Sequence, residues 1–589
     1  MKRFALLLLL PLTSLAQDEA TWTADDAREA LASTQSILLQ PELEALSVAE
    51  RLALSYLVDA GWLMHTLYLQ QRHPDSLDVR RRLGEGELGS SEFGAQLREL
   101  YELSGGPVAT SRDNRRLPLL PGIANESPGK TVYPVDLTRE AFDTWLVDNP
   151  DARAALLDVR NVVRRATSDN LKADLEVLED FPEVAALNPG LRERLETLAE
   201  AESGDYYAVP YALAYAPTLR EVRQALDAAA AKLRTESPDF AAYLEHRSRD
   251  LLSSDYEAGD AAWVRGRIDN LNLQIGSYST DDDALYGAKA FYGASILIRD
   301  RRKSAALVEA MTYLQAIEDS LPYGGRKTVR ADIPVGVYNV IADFGQARNA
   351  NSAINLPNEA DHARKYGRTI LIRNNVLTHP DLFALNKQRF DAVMAQPYHD
   401  DLTVDGSFER TLWHEVGHYL GATTTDDGRE LDVALSDTAA LFEELKADLV
   451  SLFASPMLRE SGYYDNADQR AHYADGIRRT LQDVQPRPAE LHRNLQLMQF
   501  NFFLEAGLIE IDFDSGALAI NYERYHEIVS DMLEQVLLIQ YEGNYDAALA
   551  FIQRWNYWED MLHGRLARQI RDGTTARQVR VRYAILGDE

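Results

Sequence analysis

The sequence contains no cysteine, which excludes disulfides, cysteine nucleophiles and thiolate zinc sites together. Any metal ion must therefore be bound by histidine and carboxylate side chains. Basic residues are scarce relative to acidic ones, because 61 Lys+Arg stand against 92 Asp+Glu and leave a formal charge of −31. A surface of that charge repels phosphate groups, which argues against an unaided nucleic-acid binder and against docking on anionic lipid.

Long apolar runs are also missing. Only the start of the chain is strongly apolar, and it falls short of the roughly 18 to 20 residues that a transmembrane helix needs. Met1-Lys2-Arg3, the apolar run 4–12 and Ser14-Leu15-Ala16 follow the pattern of a signal peptide cleaved after Ala16. The alternative is an N-terminal core helix. We expect an exported protein, periplasmic or secreted, that is not bound to a membrane.

The length of 589 residues and a hydrophobic content of 46% predict sizeable cores in more than one domain. Helical periodicity dominates, and two short runs, 337–341 and 369–372, read as strands. Three long helices are expected between residues 407 and 507, followed by a hairpin over 508–522. The fold class is thus mainly α with a smaller β component (α+β). A change of texture near residue 203 divides the chain as follows: signal peptide 1–16, a mainly helical N-terminal region 17–202, and a second region 203–589.

The most informative segment is His414-Glu415-Val416-Gly417-His418. Positions i and i+4 of a helix share a face, so both imidazoles can converge on one cation while Glu415 lies beside it. Ser407 is the expected N-cap and Gly421 the expected C-terminal glycine of this helix. A catalytic zinc site needs a third protein ligand and an open position for water. Taken alone, the motif is equally compatible with a solvated helix surface.

A third ligand is predicted on a downstream helix over 437–456 that Pro456 should end. Glu444 and Asp448 are four residues apart and share a face of this helix. One carboxylate can bind the metal while the other accepts a hydrogen bond from a ligand histidine, and Glu443 can orient the second histidine. By itself this acidic run also fits an exposed helix edge. Together with the histidine pair it predicts one zinc ion per chain.

With both helices considered, the chain resembles the dipeptidyl peptidase III family of zinc exopeptidases. The resemblance makes His414, His418 and Glu444 the zinc ligands and Glu415 the catalytic base. Glu443 and Asp448 match the positions that support the ligands. It also implies a two-lobed structure with a helical zinc-binding lobe and a cleft between the lobes.

The similarity covers roughly residues 200 to 560. His492 begins a segment that resembles the family's helix with a transition-state histidine. Asn355 and Asn358, in Asn-Leu-Pro-Asn, resemble its clamp on the substrate backbone. From the residues alone, His492 also fits a surface or capping histidine, and the Asn-Leu-Pro-Asn stretch also fits an ordinary turn.

Two positions depart from the family pattern. Its substrate-binding tyrosine falls at Phe291, with Tyr292 adjoining, and its acidic anchor for the substrate's free amine falls near Lys289. A cation there would repel an ammonium group, so the cleavage register stays open. Gln496 stands where the family tends to have arginine.

The predicted function is a zinc metallopeptidase that hydrolyses short peptides, as a monomer or weak homodimer. A non-catalytic zinc- or peptide-binding protein, or a zinc hydrolase of another amide or ester, stays an alternative.

Overall fold

The computed structural model describes residues 22–587 except 202–204, 330–334, 349–352, 358, 368 and 513. The predicted signal peptide therefore lies outside the described residues. Among the helices of the described chain, none is both long enough and apolar enough to cross a membrane.

Helices make up most of the first part of the chain, as the periodicity predicts. Some of them begin with a side-chain cap. The Ser47 side chain accepts from the backbone N–H of Glu50, and the Glu50 carboxylate accepts from the N–H of Ser47, which satisfies two backbone donors of the first turn. The α-helices before residue 270 are Ala24–Ala32, Val48–Arg72, Ser76–Gly84, Gly86–Ser90, Glu92–Ser104, Arg139–Asp148, Arg153–Leu156, Ser168–Asp180, Pro182–Leu187, Leu191–Ala201, Tyr211–Ala214, Ala216–Leu233, Pro238–Ser253 and Glu257–Arg265.

The second part is helical as well, and four long helices, not three, lie between residues 404 and 506. The α-helices after residue 300 are Arg301–Ala310, Leu314–Ser320, Ala360–Tyr366, Asn374–Leu377, Pro380–Asp391, Val404–Gly417, Leu431–Leu435, Ala439–Glu460, Asn466–Thr480, Leu491–Ala506, Tyr525–Glu542, Tyr545–Trp555 and Arg565–Gly573.

Within the described residues, the β component consists of one five-stranded sheet, here called the central sheet, and four two-stranded sheets. Both strands predicted at 337–341 and 369–372 belong to the central sheet, and the predicted hairpin over 508–522 is confirmed by antiparallel pairing of Ile509–Ile511 with Leu518–Ile520. The central sheet has the order Leu271–Ser277, Tyr292–Arg299, Val335–Gly345, Thr369–Arg373 and Ala353–Leu356. The paired short strands are Thr34–Leu39 with Gln578–Tyr583, Val108–Thr110 with Arg116–Pro118, and Asn161–Arg165 with Tyr206–Pro210.

The central sheet separates two large hydrophobic cores. Its strand Thr369–Arg373 shows the division, because Leu371 packs into the first core while Ile370 and Ile372 pack into the second. Side chains of a strand alternate between the two faces of a sheet, so one strand can serve both cores. The first core joins helices from the first part of the chain, and the second joins the helices after residue 300. We call the parts built around these cores the first lobe and the second lobe. This confirms the predicted mainly α, two-lobed α+β fold.

Several boundaries differ from the sequence expectation. Strands at Thr34–Leu39 and Asn161–Arg165 interrupt the region 17–202 that was predicted to be mainly helical, and no strand was predicted at Tyr206–Pro210. Each pairs with a partner that is distant in the sequence, which local periodicity cannot indicate. The domain division at residue 203 stays a prediction, and the first core contains residues from both sides of it.

Candidate metal centre

Three helices of the second lobe form the candidate site. We call them the HExxH helix (Val404–Gly417), the carboxylate helix (Ala439–Glu460) and the His492 helix (Leu491–Ala506). The HExxH helix is capped by Thr403, whose side chain accepts from the N–H of Gly406, so the expected cap at Ser407 is wrong. Ser407 lies inside the helix and donates to Asp475 instead.

The carboxylate helix continues through Pro456 to Glu460, which corrects the expectation that Pro456 ends it. A proline inside a helix removes one backbone hydrogen bond. Here the helix is anchored beyond the proline by Leu458, which is fully buried in the second core. Tertiary packing thus outweighs the local preference of proline.

The structure brings His414, His418 and Glu444 together. One ligand atom from each lies within 4.8 Å of the others, with His414 Nε2 at 3.3 Å and His418 Nε2 at 3.8 Å from the Glu444 carboxylate. The two imidazole rings are almost perpendicular, with centroids 5.0 Å apart. Two nitrogens and a carboxylate oxygen at this spacing are the donor set of a catalytic zinc site.

The outer nitrogen of each histidine is held by a carboxylate. His414 Nδ1 lies 2.8 Å from Asp448 Oδ1, and His418 Nδ1 lies 2.9 Å from Glu443 Oε1. If each Nδ1 carries the proton, both Nε2 atoms are left as lone-pair donors facing Glu444. The pairings expected for Asp448 and Glu443 are therefore present in the geometry.

The electrostatics of the site favour a cation between the ligands. Burial opposes protonation of His414, but the neighbouring carboxylates of Asp448 and Glu444 outweigh it and raise the pKa of this histidine to about 10. Burial also opposes ionisation of Glu444, yet the neighbouring His418 and His414 lower its pKa to about 2. The Oε2 atom of Glu444 is buried and accepts no hydrogen bond among the described residues. A metal ion would satisfy this oxygen, so the residues fit zinc.

Glu415 follows His414 directly and is largely buried, with 9% of its surface exposed. His492 is in the first turn of its helix, and its Nδ1 lies 3.9 Å from Glu444 Oε2, with 59% of the side chain exposed. An open histidine next to the ligand carboxylate can reach a molecule bound at the site. The catalytic roles expected of Glu415 and His492 stay predictions.

The first lobe approaches the site through the loop between Ser277 and Tyr292. Asp281 in this loop retains solvent contact, yet surrounding protein removes enough solvation to raise its pKa, while His492 lowers that pKa and Glu444 raises it. Solvent contact combined with dense surroundings is expected for a side chain in a cleft. The influence of His492 and Glu444 on Asp281 places this loop of the first lobe near the candidate metal centre.

Other predicted substrate contacts are not at this cleft. Tyr292 is 1% exposed and packs against Tyr211 and Tyr215 in the first core, which contradicts its predicted contact with substrate. Lys289 is also buried, and its Nζ donates to the backbone carbonyls of Leu156 and Asp158, both at 2.6 Å. Burial lowers the pKa of Lys289 to about 7. It does not face a substrate, so the expected repulsion of an ammonium group does not apply.

The asparagine clamp stays a prediction. Asn355 belongs to the edge strand Ala353–Leu356, which pairs with Thr369–Arg373, and Asn358 lies outside the described residues. Gln496 accepts a hydrogen bond from Gln482.

Sequence reasoning missed three buried partners of the site: Arg410, Lys446 and Gln499. Lys446 donates to Glu443, while Arg410 and Gln499 both donate to Asp448. Arg410 was detectable, because it precedes His414 by four residues and so lies on the same helix face. Gln499 has no local signal, since it comes from a different helix.

Two further groups of acidic residues around His362 have ligand-like spacing. In one of them Asp260 already accepts from Arg247 and pairs with His362, and Glu359 pairs with Arg160. In the other, Glu257 pairs with Lys365 and accepts from Tyr366. These groups are explained by internal ion pairs and hydrogen bonds.

Comparison with known proteins identifies the fold. The structure of DPP III from Caldithrix abyssi superposes with a TM-score of 0.78 at 23% identity, covering 95% of this chain and 99% of that chain. The structure of dipeptidyl-peptidase III from Corallococcus sp. strain EGB gives a TM-score of 0.81 at 21% identity, covering 96% and 98%. The chain thus has the dipeptidyl peptidase III fold, as the sequence resemblance implied.

The remaining comparisons are less specific. No family model matches the chain. Nudix hydrolase 3 from Arabidopsis thaliana is 23% identical over an alignment of 553 positions that covers 88% of this chain and 69% of that protein. The rest of that relative has no matched counterpart here.

Proposed function

We propose that this chain is a zinc-dependent peptidase that hydrolyses peptide bonds of short peptides bound in the cleft. The observation that carries the proposal is the convergence of His414, His418 and Glu444, with Glu415 adjacent. The fold shared with dipeptidyl peptidase III structures supports a peptidase. Export to the periplasm or medium, one zinc per chain and a monomer or weak homodimer complete the proposal.

His414, His418 and Glu444 would hold the zinc ion. When bound, zinc supplies Lewis-acid chemistry, which polarises a carbonyl and lowers the pKa of water from 15.7 toward about 7. Asp448 and Glu443 keep both imidazoles in the orientation that this binding requires, through their contacts with the two Nδ1 atoms.

Glu415 is the general base in this proposal. Its carboxylate takes a proton from the attacking water and later gives it to the leaving amine, so that one side chain performs both transfers. His492, exposed beside Glu444, donates a hydrogen bond to the oxygen that becomes negatively charged during attack.

The test is to compare the parent with Glu415→Ala, measuring bound zinc by elemental analysis and hydrolysis of a peptide library with free and blocked N-termini. We expect zinc to be retained and hydrolysis to fall by at least about 100-fold, the usual contribution of general acid–base catalysis. Preference for free N-termini would establish an exopeptidase.

A parent that binds zinc but hydrolyses no peptide would favour the non-catalytic binding protein. A parent that hydrolyses other amides or esters instead would favour the third alternative. Undiminished peptide hydrolysis by Glu415→Ala would refute the assignment of the base.

A further inference from the structure

The Asp448 carboxylate joins three helices at the metal centre. Its Oδ1 atom lies 2.8 Å from His414 Nδ1 and accepts a 2.6 Å bond from Arg410 Nη2. Its Oδ2 atom accepts a 3.0 Å bond from Gln499 Nε2. Arg410 and His414 lie on the HExxH helix and Gln499 lies on the His492 helix. Both oxygens are therefore engaged, so rotation of the carboxylate would break at least one of these contacts.

These partners are deeply buried. Arg410 is 0%, Gln499 1% and Asp448 3% exposed. Two further N–H-bearing atoms of Arg410, Nε and Nη1, are buried without a hydrogen-bond acceptor among the described residues. Burying a guanidinium with so few acceptors costs free energy that one ion pair does not fully recover. Such an arrangement is a poor source of stability, which points to a role in the site.

The second ligand histidine is supported differently. Glu443 receives Lys446 Nζ at 2.8 Å from the same helix, three residues on. A lysine is a point charge on a flexible stem, whereas arginine and glutamine present directional donors. Among the described residues, Asp448 receives side-chain donors from two other helices besides the ligand histidine, whereas the donor to Glu443 besides His418 comes from its own helix. The hydrogen bond from Gln499 to Asp448 also connects the His492 helix to the carboxylate helix. Gln499 lies two turns after His492 on the same face of its helix.

We propose that Arg410 and Gln499 are positioning residues of the metal centre, which fix Asp448 so that His414 presents Nε2 to the ion. This rests on the proposed zinc-dependent function. Partners that orient a ligand histidine typically contribute 10- to 100-fold to metal affinity. Loss of either donor leaves Asp448 free to turn away from His414 Nδ1.

The experiment measures the zinc dissociation constant by competition with a chelating dye, on full-length protein first stripped of metal. The variants Arg410→Met and Gln499→Met keep roughly the volume of the side chain and remove its hydrogen-bond donors. The variant Arg410→Lys keeps a positive charge and loses the planar guanidinium. Asn501→Leu is the matched control, because Asn501 lies on the same helix, is 1% exposed and donates to the carbonyls of Trp555 and Tyr557 away from the site.

We expect Arg410→Met and Gln499→Met to weaken zinc binding roughly 10- to 100-fold. Arg410→Lys should recover part of that loss. Asn501→Leu should bind zinc as the parent does, although its metal-free form should melt at a lower temperature. This contrast separates positioning of the ligand from general stability.

Parent-like affinity in both methionine variants would overturn the inference, as would an equal loss in Gln499→Met and Asn501→Leu. If Arg410→Met does not fold, Gln499→Met and Arg410→Lys decide the question by the same comparison. A parent that binds no zinc overturns the proposed function as well. A parent that binds zinc tightly, with unaffected variants, overturns this inference alone.

Discussion

At the scale of single residues, His414 and His418 differ in how rigidly they are held. His414 contacts Asp448, which accepts hydrogen bonds from side chains of two other helices. His418 contacts Glu443, which accepts from a lysine of its own helix. The carboxylates that raise the pKa of His414 to about 10 stabilise positive charge of any kind at this point. A proton and a metal ion therefore compete for the same nitrogen, and metal binding should release protons.

The sequence could predict that the three candidate ligand residues lie together, because the information that places them is local. The spacing of His414 and His418 places them on one helix face, and Glu444 follows from a run of acids on the next helix. Tyr292 was predicted to contact substrate from its neighbourhood in the sequence, but its ring is enclosed by Tyr211 and Tyr215. Only the tertiary structure determines whether such a ring is accessible.

Glu409 should make stability depend on pH. Loss of solvation raises its pKa to about 7, although hydrogen bonds from Tyr463 and Tyr464 act in the opposite direction. Between the ordinary pKa of 4.5 and about 7, the folded state binds more protons than the unfolded state. The free energy of unfolding therefore falls as pH rises through this window. Glu409→Gln should remove that loss.

Thermal unfolding of the parent and Glu409→Gln at pH 5 and pH 8 measures this effect. The variant should be nearly equal to the parent at pH 5 and more stable at pH 8, by on the order of 2 kcal/mol. Glu523→Gln, at an exposed position, should show no such increase. A Glu409→Gln variant that loses stability at pH 8 would contradict the prediction.

At the scale of elements, the HExxH helix lies close to two neighbours because glycines face them. A Cβ atom at Gly406 would lie 2.7 Å from Ala471, on the helix Asn466–Thr480. A Cβ atom at Gly417 would lie 2.7 Å from the carbonyl oxygen and 2.9 Å from the Cα of Ala447, on the carboxylate helix. The close backbone approach at Gly417 brings His418 and Glu444 within reach of one ion.

Helix existence was predictable here, whereas helix ends were not. The apolar stripe of Phe408, Leu412, Val416 and Tyr419 predicts the HExxH helix, but Thr403 and not Ser407 caps it. Either residue type can cap a helix, so the sequence alone does not decide between them. The extension of the carboxylate helix past Pro456 depends on burial of Leu458 in the second core, which is a tertiary effect.

Gly417→Ala should weaken the metal centre by separating the two helices. The added methyl group meets backbone atoms of Ala447, which cannot move aside as a flexible side chain would. We expect a loss of about 1–3 kcal/mol in stability, typical of overpacking, and weaker zinc binding in the chelator competition assay.

Gly84→Ala provides the control for this change. Gly84 ends the helix Ser76–Gly84, and a Cβ atom there would have no neighbour within 4 Å. Since alanine is the better helix former, this variant should keep or slightly gain stability and bind zinc normally. Parent-like zinc affinity in Gly417→Ala would show that the close approach is not needed for ligand geometry.

At the scale of the whole molecule, the last strand of the described chain pairs with the first. Gln578–Tyr583 pairs in parallel with Thr34–Leu39, and Tyr583 is fully buried, donating to Asp343 of the central sheet at 2.9 Å. Neither strand was predicted, because each gains its hydrogen bonds from a partner more than 500 residues away. The mainly helical composition was predictable, whereas this closure of the fold was not.

Removing the metal should loosen one lobe and leave the other intact. The HExxH and carboxylate helices both pack in the second core, while Val48–Arg72 and Ala216–Leu233 pack in the first. A bound ligand at 1,000 times its dissociation constant stabilises the folded state by about 4 kcal/mol, and this gain belongs to the part that binds it. Hydrogen exchange with mass spectrometry, before and after chelation, should therefore show faster exchange in the two site helices and little change in the two first-core helices.

Zinc, but not magnesium, should restore protection, because magnesium prefers oxygen ligands. Equal deprotection of both pairs of helices would mean that the central sheet couples the two cores into one cooperative unit.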